Sequence, residues 1–117
     1  MPIVLHISEQ SQWEAAKEAG EYTAESLATQ GFIHCSTHEQ VIEVANFLFK
    51  GQSGLVLLAV DTCKVEHNIK YENLHGGEDL FPHIYGALNI DAVIDVFDFL
   101  PASDGSFELP DAFVVSN

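Results

Sequence analysis

Arginine is absent from the sequence, and lysine, the other strongly cationic residue, occurs only four times. Against these stand 18 acidic residues, so the formal net charge is −14 at pH 7. Proteins that bind nucleic acids or anionic membrane surfaces use basic side chains to contact phosphate groups. The composition therefore predicts a protein that binds neither nucleic acid nor a membrane.

Cysteine and long apolar runs are also scarce. The two cysteines, Cys35 and Cys63, form no C-x-x-C pair and are too few for a disulfide framework. No apolar run approaches the roughly 20 residues of a membrane span, and no basic and then apolar signal segment is found at the start. We therefore expect a single domain over residues 1–117, in the cytoplasm, with reduced thiols.

Alternation and helical periodicity divide the chain into short elements. They predict strands at 3–7, 32–35, 55–60, 69–72 and 92–100, the third of them buried on both faces. Helices are predicted from Ser8 or Ser11 to Gly20 and from a capping box at Ser36 and Glu39 to Gly51, with at most one helical turn around 24–28 between them. A loop is predicted at 73–80, and a hairpin turn at Asp104-Gly105 is predicted to return through 107–109. The predicted fold class is α+β, with a mixed β-sheet core and two or three helices.

One pattern occurs twice: an apolar residue, histidine, an apolar residue and serine, at His6 with Ser8 and at His34 with Ser36. Side chains alternate along a strand, so each histidine lies on the same face as its serine. Each serine precedes a predicted helix and is placed to cap it. Because a helix N-terminus attracts anions, the pattern predicts a site for a small phosphate-bearing or carboxylate-bearing ligand, flanked by the two histidines.

Three further side chains are candidates for the same site. His83 and Tyr85 alternate within the aromatic stretch 81–86, where they could share one face and form the wall of a pocket. Glu72 ends a predicted strand just before the loop and is the preferred catalytic carboxylate. Each residue has a structural alternative, since a histidine can be satisfied within a core and Tyr85 can pack with its hydroxyl on a backbone partner.

Metal and cysteine chemistry are not expected. Zinc requires three or four ligands in tetrahedral geometry, and the six histidines include no H-x-x-x-H pair on one helix. Cys35 follows His34 on the same strand, and strand neighbours face opposite ways, so His34 is not placed to activate the thiol. Cys35 is therefore predicted to be a core residue.

Over nearly its whole length the chain resembles a small, mostly bacterial family known as domain of unknown function 952. The residues that carry this resemblance are His6, Trp13, Tyr22, Ser26, Leu27, 31–36 (GFIHCS), Gln40, Glu72 and 81–86 (FPHIYG). More distantly, 4–8, 32–36 and 55–61 look like the catalytic lobe of the NAD-dependent tRNA 2′-phosphotransferases. Those enzymes hold the RNA phosphate with arginines, which this chain lacks, so transfer of an RNA phosphate is not expected.

The second resemblance implies an ADP-ribosyltransferase-like fold that binds NAD between the two histidine strands. It implies that His6 and His34 contact the ribose hydroxyls and the amide of NAD, and that Ser36 holds the nicotinamide end. Substitution at the ribose anomeric carbon would follow, with nicotinamide leaving through an oxocarbenium-like transition state. The catalytic candidates are His6, His34, His83 and Glu72, and the cofactor-binding candidates are Ser8, Tyr22, Ser36 and Tyr85.

Two functions are compatible with this pattern. The first is a small nucleotide-binding domain that acts on NAD as an ADP-ribosyl transferase or an NAD glycohydrolase. The second is a non-catalytic module that binds a small metabolite in the same pocket. Turnover of the bound ligand distinguishes the two.

Overall fold

A computed structural model describes residues 3–73, 77 and 79–110. Eight strands and three α-helices occur within these residues. In chain order they are β1 (Ile3–Glu9), α1 (Gln10–Ala19), β2 (Glu21–Tyr22), α2 (Glu25–Gln30), β3 (Ile33–His34), α3 (Val41–Leu48), β4 (Leu55–Asp61), β5 (Ile69–Glu72), β6 (Phe81–Ile84), β7 (Leu88–Asn89) and β8 (Val93–Phe99). Among the described helices, none has the length and apolar character needed to cross a membrane. The predicted α+β class is confirmed, and the structure has three α-helices where two or three were predicted.

β4 is the centre of the fold because all of its residues are buried. It pairs with β1 on one side and β8 on the other. Its side chains alternate between two apolar clusters: Leu58 packs in the cluster that contains Trp13 and Tyr22, and Leu57 packs in the cluster that contains Val41. Burying one leucine stabilises the fold by about 1.5–3 kcal/mol, so β4 anchors both halves of the core, as its apolar run predicts.

The remaining strands form two smaller sheets, β3-β6-β5 and β2-β7. Every strand pair within the described residues is antiparallel. The prediction of a mixed sheet is therefore wrong. Apolar alternation indicates which face of a strand is buried, but it carries no information on the direction of the neighbouring strand.

The two histidine segments lie side by side, where the β1-β4-β8 sheet meets the β3-β6-β5 sheet. Leu5 and Ser36 form an antiparallel bridge, in which the Leu5 nitrogen lies 2.7 Å from the Ser36 carbonyl oxygen and the Ser36 nitrogen 2.8 Å from the Leu5 oxygen. The Cys35 N–H donates to the carbonyl oxygen of Pro82 in β6, 3.0 Å away. These bonds arrange β1, β3 and β6 around a common space.

Ser8 does not cap the first helix, contrary to the prediction. It lies within β1, where its backbone pairs opposite Val56 of β4, and its hydroxyl donates to the Glu9 carbonyl oxygen at 3.0 Å. α1 begins only at Gln10, and the Gln10 N–H donates to the carbonyl oxygen of Gly54 at 2.8 Å. Pairing with β4 extends β1 beyond the predicted end and moves the helix start past the serine.

Ser36 does not cap the helix predicted from Ser36 to Gly51 either. Its backbone is committed to the bridge with Leu5, and α3 begins at Val41. The N–H of Thr37 donates instead to the side-chain oxygen of Gln40, 3.1 Å away. The predicted capping box at Ser36 and Glu39 is therefore not formed, because tertiary pairing takes the serine away from the helix.

The chain after β8 forms the predicted turn but not the predicted returning strand. Gly105 has φ +87°, in the left-handed region that glycine adopts without strain. Phe107 then enters the core, stacks on Phe99 with 4.7 Å between ring centroids, and donates its backbone N–H to the Asn46 side-chain oxygen at 2.8 Å. This segment is therefore tied to α3 and does not pair with β8.

The loop predicted at 73–80 lies partly outside the described residues.

Candidate functional site

A cavity of about 650 Å³ opens at the junction of the two larger sheets, beside α3. Its polar lining residues are His6, Ser26, His34, Ser36, Glu72, Asn73 and His83. Its apolar lining residues are Leu5, Ile7, Cys35, Val44, Phe47, Leu48, Phe49 and Phe81. An apolar hollow with a few convergent polar groups is typical of a site for a small molecule.

Glu72, His83 and Tyr85 form one hydrogen-bonded group beside this cavity. The Nδ1–H of His83 donates to Glu72 Oε1 at 3.0 Å, and the Tyr85 hydroxyl donates to the same oxygen. The hydrogen bond from Tyr85 and then that from His83 lower the pKa of the Glu72 carboxyl. The same carboxylate raises the pKa of the Tyr85 hydroxyl. At neutral pH Glu72 is therefore an ionised carboxylate with two donors.

This bonding orients the ring of His83. Because Nδ1 donates to Glu72, a neutral imidazole presents Nε2 as its proton acceptor. Phe32 stacks on the ring with 4.3 Å between centroids, and His34 stands edge-on to it at 5.1 Å. His83 is only 5% exposed, so the ring has little freedom to turn. A fixed imidazole backed by a carboxylate is suited to general base catalysis.

His34 is the second imidazole of the cavity, and it is exposed. Its Nε2 lies 3.2 Å from the side-chain oxygen of Gln30, at the end of α2. Ser36 is buried and also lines the cavity. The structure thus brings together four predicted site residues, His34, Ser36, Glu72 and His83.

His6 also touches the cavity, but both of its ring nitrogens are engaged within the protein. Its Nδ1–H donates to the His34 carbonyl oxygen at 2.5 Å, so Nε2 accepts from the Tyr22 hydroxyl at 2.8 Å. Burial lowers the pKa of His6 to about 4, and the ring is therefore neutral at pH 7. In this geometry neither nitrogen is open to a ligand, and His6 holds β3 against β1.

Ser8 and Tyr22, both predicted to bind the cofactor, lie behind His6 and outside the described cavity lining. Tyr22 is 1% exposed and Ser8 is 2% exposed. Burial raises the pKa of the Tyr22 hydroxyl, and the Ser8 hydroxyl opposes this shift in part. Tyr85, the remaining predicted binding residue, reaches the cavity through its bond to Glu72. Tyr22 and Tyr85 therefore each bond to a side chain that lines the cavity, His6 and Glu72, while the Ser8 hydroxyl donates to the Glu9 carbonyl oxygen.

Cys35 lines the cavity but is only 4% exposed. Burial raises the pKa of its thiol to about 12. A nucleophilic cysteine requires a lowered pKa, so this thiol is a core residue, as its place on the strand predicts.

Within the described residues no three side chains of the metal-binding types lie close enough to hold an ion.

The part of the aromatic wall that comes from α3 and its C-terminal end was not predicted from the sequence. Phe47 and Phe49, near the end of α3, line it together with Phe81 of β6. Phe47 is 84% exposed, although the opposite face of α3 packs in the core. An aromatic residue on the solvent face of an amphipathic helix is the signal that could have indicated a binding surface there.

Replacing Tyr22 with phenylalanine is expected to destabilise the protein by about 1–3 kcal/mol, because the buried Nε2 of His6 loses its donor. Urea unfolding at pH 7 measures this loss. Tyr71→Phe is the matched control, since Tyr71 is 50% exposed, and it should change the stability by less than about 0.5 kcal/mol. Equal effects of the two substitutions would contradict a structural role for the Tyr22 hydroxyl.

Comparison with known proteins adds a family and a fold. The family model described as "Protein of unknown function (DUF952)" matches residues 7–96. No curated protein matches the chain. The chain is similar to the X-ray crystal structure of protein CC0527 from Caulobacter crescentus, with 35% identity over 95% of this chain and 97% of that chain, and a TM-score of 0.85. The solution NMR structure of CC0527 is similar at 35% identity over 97% of each chain, with a TM-score of 0.83.

Proposed function

This chain belongs to the DUF952 family of proteins of unknown function, and from the residues that line its cavity we propose that it binds the nicotinamide-ribose part of an NAD-type nucleotide. We propose further that it supports substitution at the ribose anomeric carbon, on an ADP-ribosyltransferase-like architecture. The chain would then act as a transferase or an NAD glycohydrolase.

One observation carries the proposal: Glu72, His83 and His34 converge on a cavity whose walls are mainly apolar and aromatic. The phenylalanine rings offer a surface for a flat heteroaromatic ring. His34 and Ser36 supply polar atoms for ribose hydroxyls. The ionised carboxylate of Glu72, which lines the cavity, would stabilise the positive charge that develops on an oxocarbenium-like carbon.

The proposed reaction breaks the bond between the anomeric carbon and the pyridinium nitrogen. Nicotinamide leaves as a neutral molecule and takes the bonding electron pair with it. A water or hydroxyl oxygen forms the new bond to the anomeric carbon, and its proton passes to Nε2 of His83. Glu72 holds His83 in the tautomer that can accept this proton.

A non-catalytic metabolite-binding module is the second candidate, and the state of His6 favours it. The two-histidine subgroup implied by the resemblance uses both imidazoles on the ligand. Here both ring nitrogens of His6 are bonded to Tyr22 and to the His34 carbonyl group. A site in which one of the two imidazoles is bonded within the protein can bind a ligand without converting it.

The test combines ligand binding with product release. The purified protein is incubated with NAD and with nicotinamide riboside at millimolar concentration, and thermal unfolding and free nicotinamide are measured. At ten times the dissociation constant, binding stabilises the fold by about 1.4 kcal/mol, which raises the midpoint by several degrees. Binding with nicotinamide release supports the enzyme, and binding without release supports the module. Binding of neither compound would reject the proposed function.

A further inference from the structure

We infer that, among cationic N-ribosyl heteroaromatic compounds, the cavity binds the phosphate-free form more tightly than the forms that carry a phosphate. This inference rests on the proposed function and names its substrate class. The charges in and around the cavity carry it.

The cavity itself is suited to a cation. Glu72 is the carboxylate in the described lining, and no lysine occurs among those lining residues. Phe47, Phe49 and Phe81 add ring faces, which attract organic cations. A pyridinium ring bound to ribose carries its positive charge on the planar group that these residues would contact.

The surroundings of the cavity disfavour a phosphate. A second cavity of about 530 Å³ adjoins the first and shares Val44, Phe47 and Phe81 with it. Three carboxylates line this second cavity, those of Glu39, Glu43 and Asp79. A phosphate that extends from the first cavity into the second would meet like charges, which would weaken binding of that compound relative to the phosphate-free form.

Three groups that could offset this repulsion have partners within the protein: two backbone N–H groups at or ahead of the starts of helices and the ammonium of Lys70. The Gln10 N–H of α1 donates to Gly54, and the Thr37 N–H ahead of α3 donates to Gln40. Lys70 lies with its ammonium 4.8 Å from the centroid of the Tyr85 ring, outside the described cavity lining. The serines of the predicted phosphate site cap neither helix, and Glu39, Glu43 and Asp79 leave the charge around the second cavity negative.

Binding of three probes tests the inference: nicotinamide riboside, nicotinamide mononucleotide and NAD, titrated calorimetrically at low ionic strength. We expect the riboside to bind at least tenfold more tightly than the mononucleotide, and more tightly than NAD. The double variant Glu39→Gln/Glu43→Gln should bind the mononucleotide more tightly than the wild type does, and so reduce the difference in affinity between riboside and mononucleotide. High salt should narrow it too, because both carboxylates are exposed and screened.

The matched control is the double variant Glu18→Gln/Glu66→Gln, which removes two exposed carboxylates outside both cavities. It should leave the difference in affinity between riboside and mononucleotide unchanged. Mononucleotide or NAD binding as tight as that of the riboside overturns the inference and leaves the proposed function intact. If Glu39→Gln/Glu43→Gln does not reduce the difference in affinity between riboside and mononucleotide, the selectivity does not come from these carboxylates. Failure of all three probes to bind rejects the proposed function itself.

Discussion

Replacing Glu72 with glutamine is expected to slow nicotinamide release by ~10²-fold or more, while the protein remains folded. The amide preserves the size of the side chain and can still accept from Tyr85. It removes the negative charge that would stabilise the oxocarbenium-like carbon and the charged partner that orients His83. Release of nicotinamide from saturating nicotinamide riboside, followed by chromatography, gives the rate.

The control for this substitution is Glu18→Gln, which makes the same change of charge on the exposed side of α1. Its rate should stay within a factor of two of the wild type. His83→Asn should reproduce the loss seen in Glu72→Gln, and the double variant should be little slower than either single one, because the two residues act as a unit. A Glu72→Gln protein with the wild-type rate would exclude the carboxylate from the chemistry.

The stability of the protein is expected to fall by about 3 kcal/mol between pH 6.5 and pH 4 through His6 alone. The pKa of His6 is lowered to about 4 in the fold from an ordinary value of 6.5, chiefly by burial. In this window the unfolded chain binds a proton that the folded chain excludes. The stabilisation is therefore complete above pH 6.5, declines as the pH falls, and is fully lost below pH 4.

Urea unfolding of the wild type and of His6→Gln, at several pH values from 7 to 4, measures this contribution. Glutamine can donate and accept hydrogen bonds but does not titrate. The free energy of unfolding of the variant should therefore fall with pH only through the acidic groups, without the contribution of His6. The same comparison with His38→Gln, at an exposed position, controls for loss of an imidazole as such. If the free energies of unfolding of the wild type and of His6→Gln fall in parallel with pH, His6 does not exclude a proton in the folded state.

Much of the site could be predicted because it lies on short local patterns. The alternation in 81–86 placed His83 and Tyr85 on one side, and both contact Glu72, which the end of a predicted strand had singled out. The roles of the serines could not be predicted in the same way. Whether Ser8 caps a helix or continues a strand depends on β4, some 50 residues later, and pairing with Val56 decided it.

By itself, the sequence determined the surplus of negative charge, the doubly buried β4, the amphipathic α3 and the presence of a histidine with a carboxylate near one loop. These follow from composition and from periods of two and 3.6 residues, which are local properties. Only the tertiary structure decided that the sheets are antiparallel, that His6 is bonded to Tyr22 and the His34 carbonyl group, and that phenylalanines from α3 and β6 close the cavity. The reason is that a buried polar group must find its partners wherever the packed chain brings them, and these partners lie 16 and 28 residues from His6.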